Sequence, residues 1–304
     1  MSNFTDFISS GGGGSEVNDN KVINSKANSI TTESDEVWLK SGVLSTDTTT
    51  YPNATSLLSG ATYTNTNWSV ASQITYPSGI TWDGSFFWVC DRLPNGNVYK
   101  YNASGAYQGV SFATSGNSEN NGIFWNGSHF YIAGSNSGGT INRYNASGAI
   151  DSGWSIGSVG GCQGVAVIGS VIYVLRNNGY IYSFYITSSG GTTTSNSINT
   201  AAQLGGAEQD VTTDGEYLYA VSHSGVAYKY DPYESGGAGY LGISFSVNPL
   251  SSSAIDFGAL AFKGTELYST NATDRKVFKF NEALSVGLGG KVATDGGTIY
   301  TRIK

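Results

Sequence analysis

The chain has 304 residues, of which 39% are apolar, 42 are glycine and only 12% are charged, and its formal net charge is −7. This composition is typical of a protein built from strands and turns rather than helices. The negative charge argues against nucleic acid as a partner. The sequence predicts neither a secretory signal nor an apolar stretch that inserts into a membrane.

The first 32 residues are polar and include the run Ser9–Ser15, which reads SSGGGGS. Such a segment cannot bury enough apolar surface to fold alone, so it is either disordered or laid against another protein. Within it, only Phe4, Phe7 and Ile8 are suited to anchoring the segment firmly.

The next passage, Glu36 to Ser59, contains the apolar residues Val37, Leu39, Val43 and Leu44, which predict one short strand. An extended stretch then ends at Pro52. We therefore predict an extended arm over residues 1–58 and a repeat domain over residues 59–304.

The arm carries a resemblance to a known class of protein. Its opening NFTDFISSGGGG and its later passage ITTESDEVWLKSGVLSTDTTTYPNA, followed by β-repeats, resemble virion structural proteins of tailed bacteriophages, especially marine ones. The resemblance implies an arm that docks on capsid, neck or tail proteins, with Phe4, Phe7, Ile8, Val37, Trp38 and Leu39 as the anchoring residues. It also implies a fibre or appendage role, several copies on each particle and location in the virion.

The remainder of the chain repeats one phrase: an apolar strand, a tight glycine turn, an aromatic strand and a second aromatic strand. The turn glycines are separated by 43, 42, 46, 49 and 32 residues, and they are Gly84, Gly127, Gly169, Gly215, Gly264 and Gly296. A period near forty residues containing only strand signals is typical of propeller blades. The pattern resembles NHL-type β-propeller repeats, a resemblance that carries little information about function.

Three of the turns contain residue pairs that are typical of β-hairpins. Asp83-Gly84, Asn126-Gly127 and Asp214-Gly215 are pairs that supply the positive φ angles of two-residue hairpins. Each repeat therefore forms a small antiparallel sheet that has to stack on its neighbours to bury its faces.

The number of blades depends on how the ends of the repeat domain pair. Residues 62–74 have the pattern of outer strands and residues 291–303 the pattern of inner strands, so that the two ends can share one sheet and close the ring. This interpretation gives six blades and is preferred. Five blades are the alternative, with Gly290–Thr294 as the last outer strand and Thr298–Ile303 serving in closure.

No metal or cofactor site is predicted, because the two cysteines and two histidines form no ligand pattern and no dense acidic cluster is present. Cys90 and Cys162 are expected to be buried free thiols. Asp83, Asp214 and Asp295 share a turn position that requires Asp or Asn, and turn chemistry explains them. Glu208 and Asp210 are the carboxylates that remain as candidates for a catalytic pair.

Three residues are candidates for ligand binding. Trp82 and Trp125 precede the first two turns, where exposed indoles can stack on sugars, although packing between blades is the favoured explanation because the preceding residues are apolar too. His223 lies in a loop, and propeller loops often bind ligands.

The sequence favours a non-enzymatic virion protein that displays a propeller for contact with a host-surface glycan or protein, or with a virion protein. The alternatives are a propeller enzyme that degrades glycans, dependent on Asp210 or Glu208, and a free lectin-like propeller.

Overall fold

The computed structural model describes residues 29–33, 36–43, 61–93, 96–114, 119–135, 138–234, 239–249, 258–264, 266–281, 292–295 and 298–303. Their regular structure consists of strands β1 to β24 and one four-residue helix, α1 (Ala201–Leu204), as the predicted all-β class requires. Within these ranges, no helix is long and apolar enough to cross a bilayer.

Contacts divide the chain into two compact units: residues 60–282, and residues 1–59 together with 283–304. The first unit is a β-propeller of five blades, each a four-stranded antiparallel sheet. Its first strand in the chain is β3 (Thr62–Ser69).

Blades 1 and 2 follow the chain from the inner strand outward. Blade 1 consists of β4 (Pro77–Trp82), β5 (Phe87–Asp91), β6 (Asn97–Tyr101) and β7 (Tyr107–Ala113). Blade 2 consists of β8 (Asn120–Trp125), β9 (His129–Gly134), β10 (Thr140–Asn145) and β11 (Ile150–Ile156).

Blades 3 and 4 have the same order. Blade 3 consists of β12 (Cys162–Ile168), β13 (Val171–Arg176), β14 (Tyr180–Ile186) and β15 (Gly191–Asn199). Blade 4 consists of β16 (Glu208–Thr213), β17 (Leu218–Ser222), β18 (Val226–Tyr230) and β19 (Tyr240–Ser246).

Blade 5 takes its outer strand from the beginning of the unit. Its inner strands are β20 (Leu260–Lys263), β21 (Glu266–Asn271) and β22 (Lys276–Asn281), and β3 pairs with β22 as the fourth strand. In this pairing the Cα of Thr62 lies opposite that of Asn281. The first strand of the unit thus latches its last blade.

The inner strands pack closely around the axis. β20 packs against β16 on one side and β4 on the other, which completes the circuit of neighbouring inner strands. A Cβ atom on Gly122 would lie only 2.8 Å from the Cα of Gly164, so glycine is required where these strands converge. Ser78 Oγ and Asn121 Nδ2 each donate to a backbone carbonyl of the following blade.

The hydrophobic core lies between the blades. One cluster joins blades 5 and 1 through residues that include Ile80, Phe87 and Tyr268, and comparable clusters fill the next three interfaces. Gly105 lies against the Trp68 indole of the latch strand, and a Cβ at Gly105 would collide with that ring. The second strands β5 and β17 are buried along their whole length, as their continuous apolar runs predict, whereas the outer strands β3 and β7 are largely exposed.

The predicted hairpins are confirmed, with one refinement. Gly84, Gly127 and Gly215 have φ angles of 99°, 97° and 97°. Only the glycine of each pair has a positive φ. Asp83 and Asp214 have ordinary negative φ angles, and their side chains accept hydrogen bonds from backbone amides of the turn.

The preference for six blades is wrong, and so is the predicted ring closure by strands from both termini. β23 (Val292–Asp295) and β24 (Thr298–Ile303) do not share a sheet with β3. β3 pairs with β22 instead, and this pairing uses the segment expected to begin a sixth blade.

The second unit contains one four-stranded sheet of order β1-β2-β24-β23, with β1 (Ser29–Glu33) and β2 (Glu36–Val43). Val37 of β2 lies opposite Ile303 of β24. Segments from both ends of the chain therefore pair with each other, in a sheet of their own. Residues 1–28, which include the anchoring candidates Phe4, Phe7 and Ile8, lie outside the described residues.

Cys90 and Cys162 are buried and free, as predicted. They lie in blades 1 and 3, and burial raises the pKa of each thiol.

Candidate functional site

The turn aspartates have structural partners. Asp83 Oδ1 accepts hydrogen bonds from the amides two and three residues further on, and its Oδ2 accepts one from Trp88 Nε1 at 2.6 Å. Asp214 makes the same pair of amide contacts, and its Oδ2 accepts from the Tyr219 hydroxyl at 2.7 Å. Turn geometry accounts for both carboxylates, which stabilise the hairpin and fix the aromatic residue five positions later.

A cation recurs in the third strand of several blades. Lys100 Nζ lies 3.8 Å from the centroid of the Phe86 ring, and Lys229 Nζ lies 3.9 Å from that of Tyr217. The register of the third strand against the fourth shifts at both positions. The irregularity turns each cation toward the second-strand aromatics, where the ring quadrupole stabilises it. Lys229 is only 7% exposed, so this cation is buried against the rings and does not lie on a solvated sheet edge.

Trp82 and Trp125 pack between blades. Each is half-buried and lies 4.6 Å, between ring centroids, from the phenylalanine five residues later. Trp82 joins the cluster between blades 5 and 1, and Trp125 the cluster between blades 1 and 2. This packing accounts for both indoles, and a role in ligand binding stays a prediction.

His223 is half-buried at the carboxyl end of β17. Its backbone amide donates to the Ala207 carbonyl at 2.7 Å, and its Nδ1 lies 3.4 Å from Gln209 Nε2. The residue thus lies beside the amino end of the inner strand of its own blade. That strand also carries Glu208 and Asp210, and the three residues belong to the same end of blade 4.

Among the described residues of the propeller, Asp210 is the least exposed carboxyl group, with 1% of its surface exposed. At this position, five residues before the turn glycine, blades 1 to 3 have Gly79, Gly122 and Gly164, and blade 5 has Ala259. Its Oδ2 accepts a hydrogen bond from the Leu260 amide at 3.1 Å, whereas its Oδ1 has no hydrogen-bond partner and lies against Gly122 and Gly164. Burial raises the pKa of this carboxyl well above its ordinary value.

Glu208 is the second buried carboxyl group of the same strand, with 4% of its surface exposed. Both of its side-chain oxygens lack hydrogen-bond partners. The corresponding residue of blade 2, Asn120, donates to the Gly96 carbonyl at 2.6 Å and to Thr114 Oγ1 at 2.8 Å. Blade 2 therefore satisfies a polar group at this position, and blade 4 places an unpaired carboxylate there.

Blade 4 is chemically distinct for this reason. Burying a carboxylate without a partner costs several kcal/mol by order of magnitude, and the other described blades build the same strand without one. Such groups can transfer protons or bind a ligand. Among the described residues, no group of three or more His, Cys, Asp or Glu side chains is placed to hold a metal ion.

The predicted anchoring residues Val37, Trp38 and Leu39 lie in the central part of β2. They lie opposite Thr32, Thr31 and Ile30 of β1 on one side, and opposite residues of β24 on the other. Their role in docking stays a prediction.

Comparison with known proteins identifies a fold and no family. No protein-family model and no curated protein sequence matches the chain. A solved structure of Myxococcus xanthus glutaminyl cyclase matches at 12% identity and a TM-score of 0.58, over 73% of this chain and 96% of that one. Identity at this level shows a shared fold alone.

Two further solved structures match less closely. A chain of a mitotic checkpoint complex matches at 11% identity and a TM-score of 0.42, over 66% of this chain and 62% of that one. A chain of a nidogen/laminin complex matches at 14% identity and a TM-score of 0.43, over 69% of this chain and 78% of that one.

Sequence reasoning noticed Glu208 and Asp210 but did not select them as site residues. The signal was available in the repeats, because Asp210 is the only polar residue at a position where the other aligned copies have glycine or alanine. Exposed Tyr185 and Tyr233 were missed, since aromatic residues are common throughout these strands and the sequence does not distinguish an exposed ring from a packed one.

Proposed function

We propose that the chain is a non-enzymatic structural protein of a tailed-bacteriophage virion. The unit outside the propeller, with Phe4, Phe7, Ile8, Val37, Trp38 and Leu39, docks on capsid, neck or tail proteins. The propeller is displayed for contact with a host surface or a neighbouring virion protein, and multiple copies turn weak contacts into avidity. The resemblance of the arm to phage virion proteins motivates this proposal.

One structural observation supports it most directly. Thr62 and Asn281, the first and last strand residues of the propeller unit, are paired on neighbouring outer strands of blade 5. The propeller unit therefore begins and ends on the same blade, and the flanking segments contribute strands to a separate sheet. An arrangement of this kind suits a self-contained module carried on an attachment segment.

Deletion of residues 1–35 tests the proposal. The shortened chain should keep a cooperative β-sheet melting transition by circular dichroism, because the five blades lie within residues 60–282. It should fail to co-sediment with virions assembled in its presence, whereas the full chain should co-sediment. Normal incorporation of the shortened chain, or absence of the full chain from particles, would contradict the proposal.

A second candidate is an enzyme that uses blade 4. The observation that favours it is the pair of buried carboxyl groups, Glu208 and Asp210, on the inner strand of blade 4, since the described inner strands of the other blades contain no Asp or Glu. The substrates to assay are envelope glycans and, because a glutaminyl cyclase shares the fold, a peptide with amino-terminal glutamine.

The assay compares the full chain with two variants. Glu208→Gln should lower any turnover rate by at least about 100-fold, the usual effect of losing a general acid–base group. Glu266→Gln is the control, because Glu266 accepts hydrogen bonds from Lys263 Nζ at 3.0 Å and the Tyr268 hydroxyl at 2.9 Å and is used structurally. Absence of turnover on every substrate removes this candidate.

A further inference from the structure

Two tyrosines stand out on the surface of the described residues. Tyr233 and Tyr185 are 74% and 56% exposed, more than any other large hydrophobic side chain in those ranges. Most tyrosines of the repeats instead pack between strands or blades, as Tyr219 and Tyr230 do with no exposed surface. Exposed phenol rings that contribute nothing to the core are typical of binding surfaces, where Tyr offers a rigid apolar face and a hydroxyl.

Both rings belong to one end of two adjacent blades. Tyr185 lies near the carboxyl end of the third strand of blade 3, and Tyr233 follows the third strand of blade 4. Asn196 of β15 donates from Nδ2 to the Pro232 carbonyl at 3.2 Å, which ties the segment carrying Tyr233 to the outer strand of blade 3.

Asp231 completes the group. Its Oδ1 accepts a hydrogen bond from the Tyr233 amide at 2.9 Å, and its own amide donates to the Gly239 carbonyl at 2.8 Å. Tyr185 is linked to the same segment through Asn196, because Ser183 Oγ, two residues before Tyr185, donates to the Asn196 carbonyl at 3.0 Å.

We propose that Tyr185, Tyr233 and Asp231, here called the tyrosine patch, form a binding site for a neutral glycan. A pyranose ring has an apolar C–H face that stacks on a phenol ring, and hydroxyl groups that donate to a carboxylate. The tyrosine patch presents two rings and one carboxylate on a backbone held by hydrogen bonds. The net charge of −7 disfavours acidic glycans by repulsion, so the ligand is neutral.

This inference rests on the proposed display function, for which it names the class of host-surface ligand. It is also separable from that function, because particle docking is assigned to the other unit. Loss of the tyrosine patch should leave incorporation into particles unchanged.

The test titrates the full chain with neutral tetrasaccharides of glucose, mannose and N-acetylglucosamine, using saturation-transfer NMR and calorimetry. Sialyllactose is the acidic comparison. The double variant Tyr185→Ala/Tyr233→Ala should weaken binding of the responding sugar by at least roughly tenfold, as expected for two aromatic anchors. Tyr76→Ala is the matched control, because Tyr76 is 45% exposed and lies in blade 1, next to Asp91.

Each result of the titration supports or contradicts one of the two proposals. Binding lost in the double variant and kept in Tyr76→Ala supports the tyrosine patch. The proposed glycan site is contradicted if no neutral sugar binds, if sialyllactose binds more tightly than the neutral sugars, or if both variants bind sugar equally. If the full chain is incorporated into particles but binds no sugar, only the glycan-binding inference is contradicted. If it binds sugar but is not incorporated, only the virion proposal is contradicted.

Discussion

Asp210 occupies a position of the inner ring at which blades 1 to 3 carry glycine and blade 5 carries Ala259. Its carboxyl group fills space that Gly122 and Gly164 leave open, and it accepts the amide proton of Leu260 in the next blade. A single side chain thereby touches blades 2, 3 and 5 from blade 4. Because its burial favours the neutral form, this contact depends on pH.

The sign of that dependence follows from the raised pKa. An aspartate in the unfolded chain ionises near pH 3.9, whereas buried Asp210 keeps its proton to a higher pH. The stabilising effect of the proton is complete below the unfolded pKa. It is lost progressively as the pH rises toward the folded pKa, by about 1.4 kcal/mol for each pH unit.

Asp210→Asn should remove this dependence, since an amide does not titrate and can still accept from the Leu260 amide. Urea unfolding at pH 4, 6 and 8 should show the native chain losing stability relative to the variant as the pH rises. Parallel stability curves for the two proteins would show that Asp210 titrates normally.

At the scale of elements, the latch strand β3 connects blade 5 to blade 1 through the side chain of Trp68. Trp68 lies 5.3 Å from the Phe87 ring of blade 1 and 5.6 Å from the Tyr268 ring of blade 5, between ring centroids. It also covers Gly105 in the turn after β6. One indole therefore joins the first blade to the last.

Trp68→Ala should destabilise the propeller by about 2 kcal/mol, the cost of losing one largely buried aromatic side chain. The melting temperature measured by calorimetry should fall by roughly 4–8 °C for a unit of this size. Tyr76→Ala, which removes an exposed ring, should change it by less than about 2 °C. Equal shifts in the two variants would show that the latch is not held by Trp68.

The sequence-based error also belongs to this scale. Asp295-Gly296 has the same turn chemistry as Asp83-Gly84, and it was therefore counted as the turn of a sixth blade. Turn chemistry specifies a hairpin and not the sheet to which the hairpin belongs. β23 and β24 do form a hairpin, but their neighbour is β2, and a pairing between strands so distant in the chain leaves no local signal.

For the whole molecule, the repeat period predicted the architecture because blades 1 to 4 are each local in sequence: four consecutive strands joined by short connections. Trp82 and Trp125 were found for the same reason, since both lie at fixed places in the repeat. Tyr185 and Tyr233 were not, because the tyrosine patch forms only when two blades are side by side. Whether a ring is packed or exposed depends on neighbours that are supplied by another repeat.

The pairing of Thr62 with Asn281 has a genetic consequence. One uninterrupted stretch of the gene encodes the entire ring, and its two ends meet on adjacent strands. Two recombination points suffice to exchange the propeller for another domain, and neither point interrupts a propeller sheet. The strands that remain, β1, β2, β23 and β24, already form a sheet of their own.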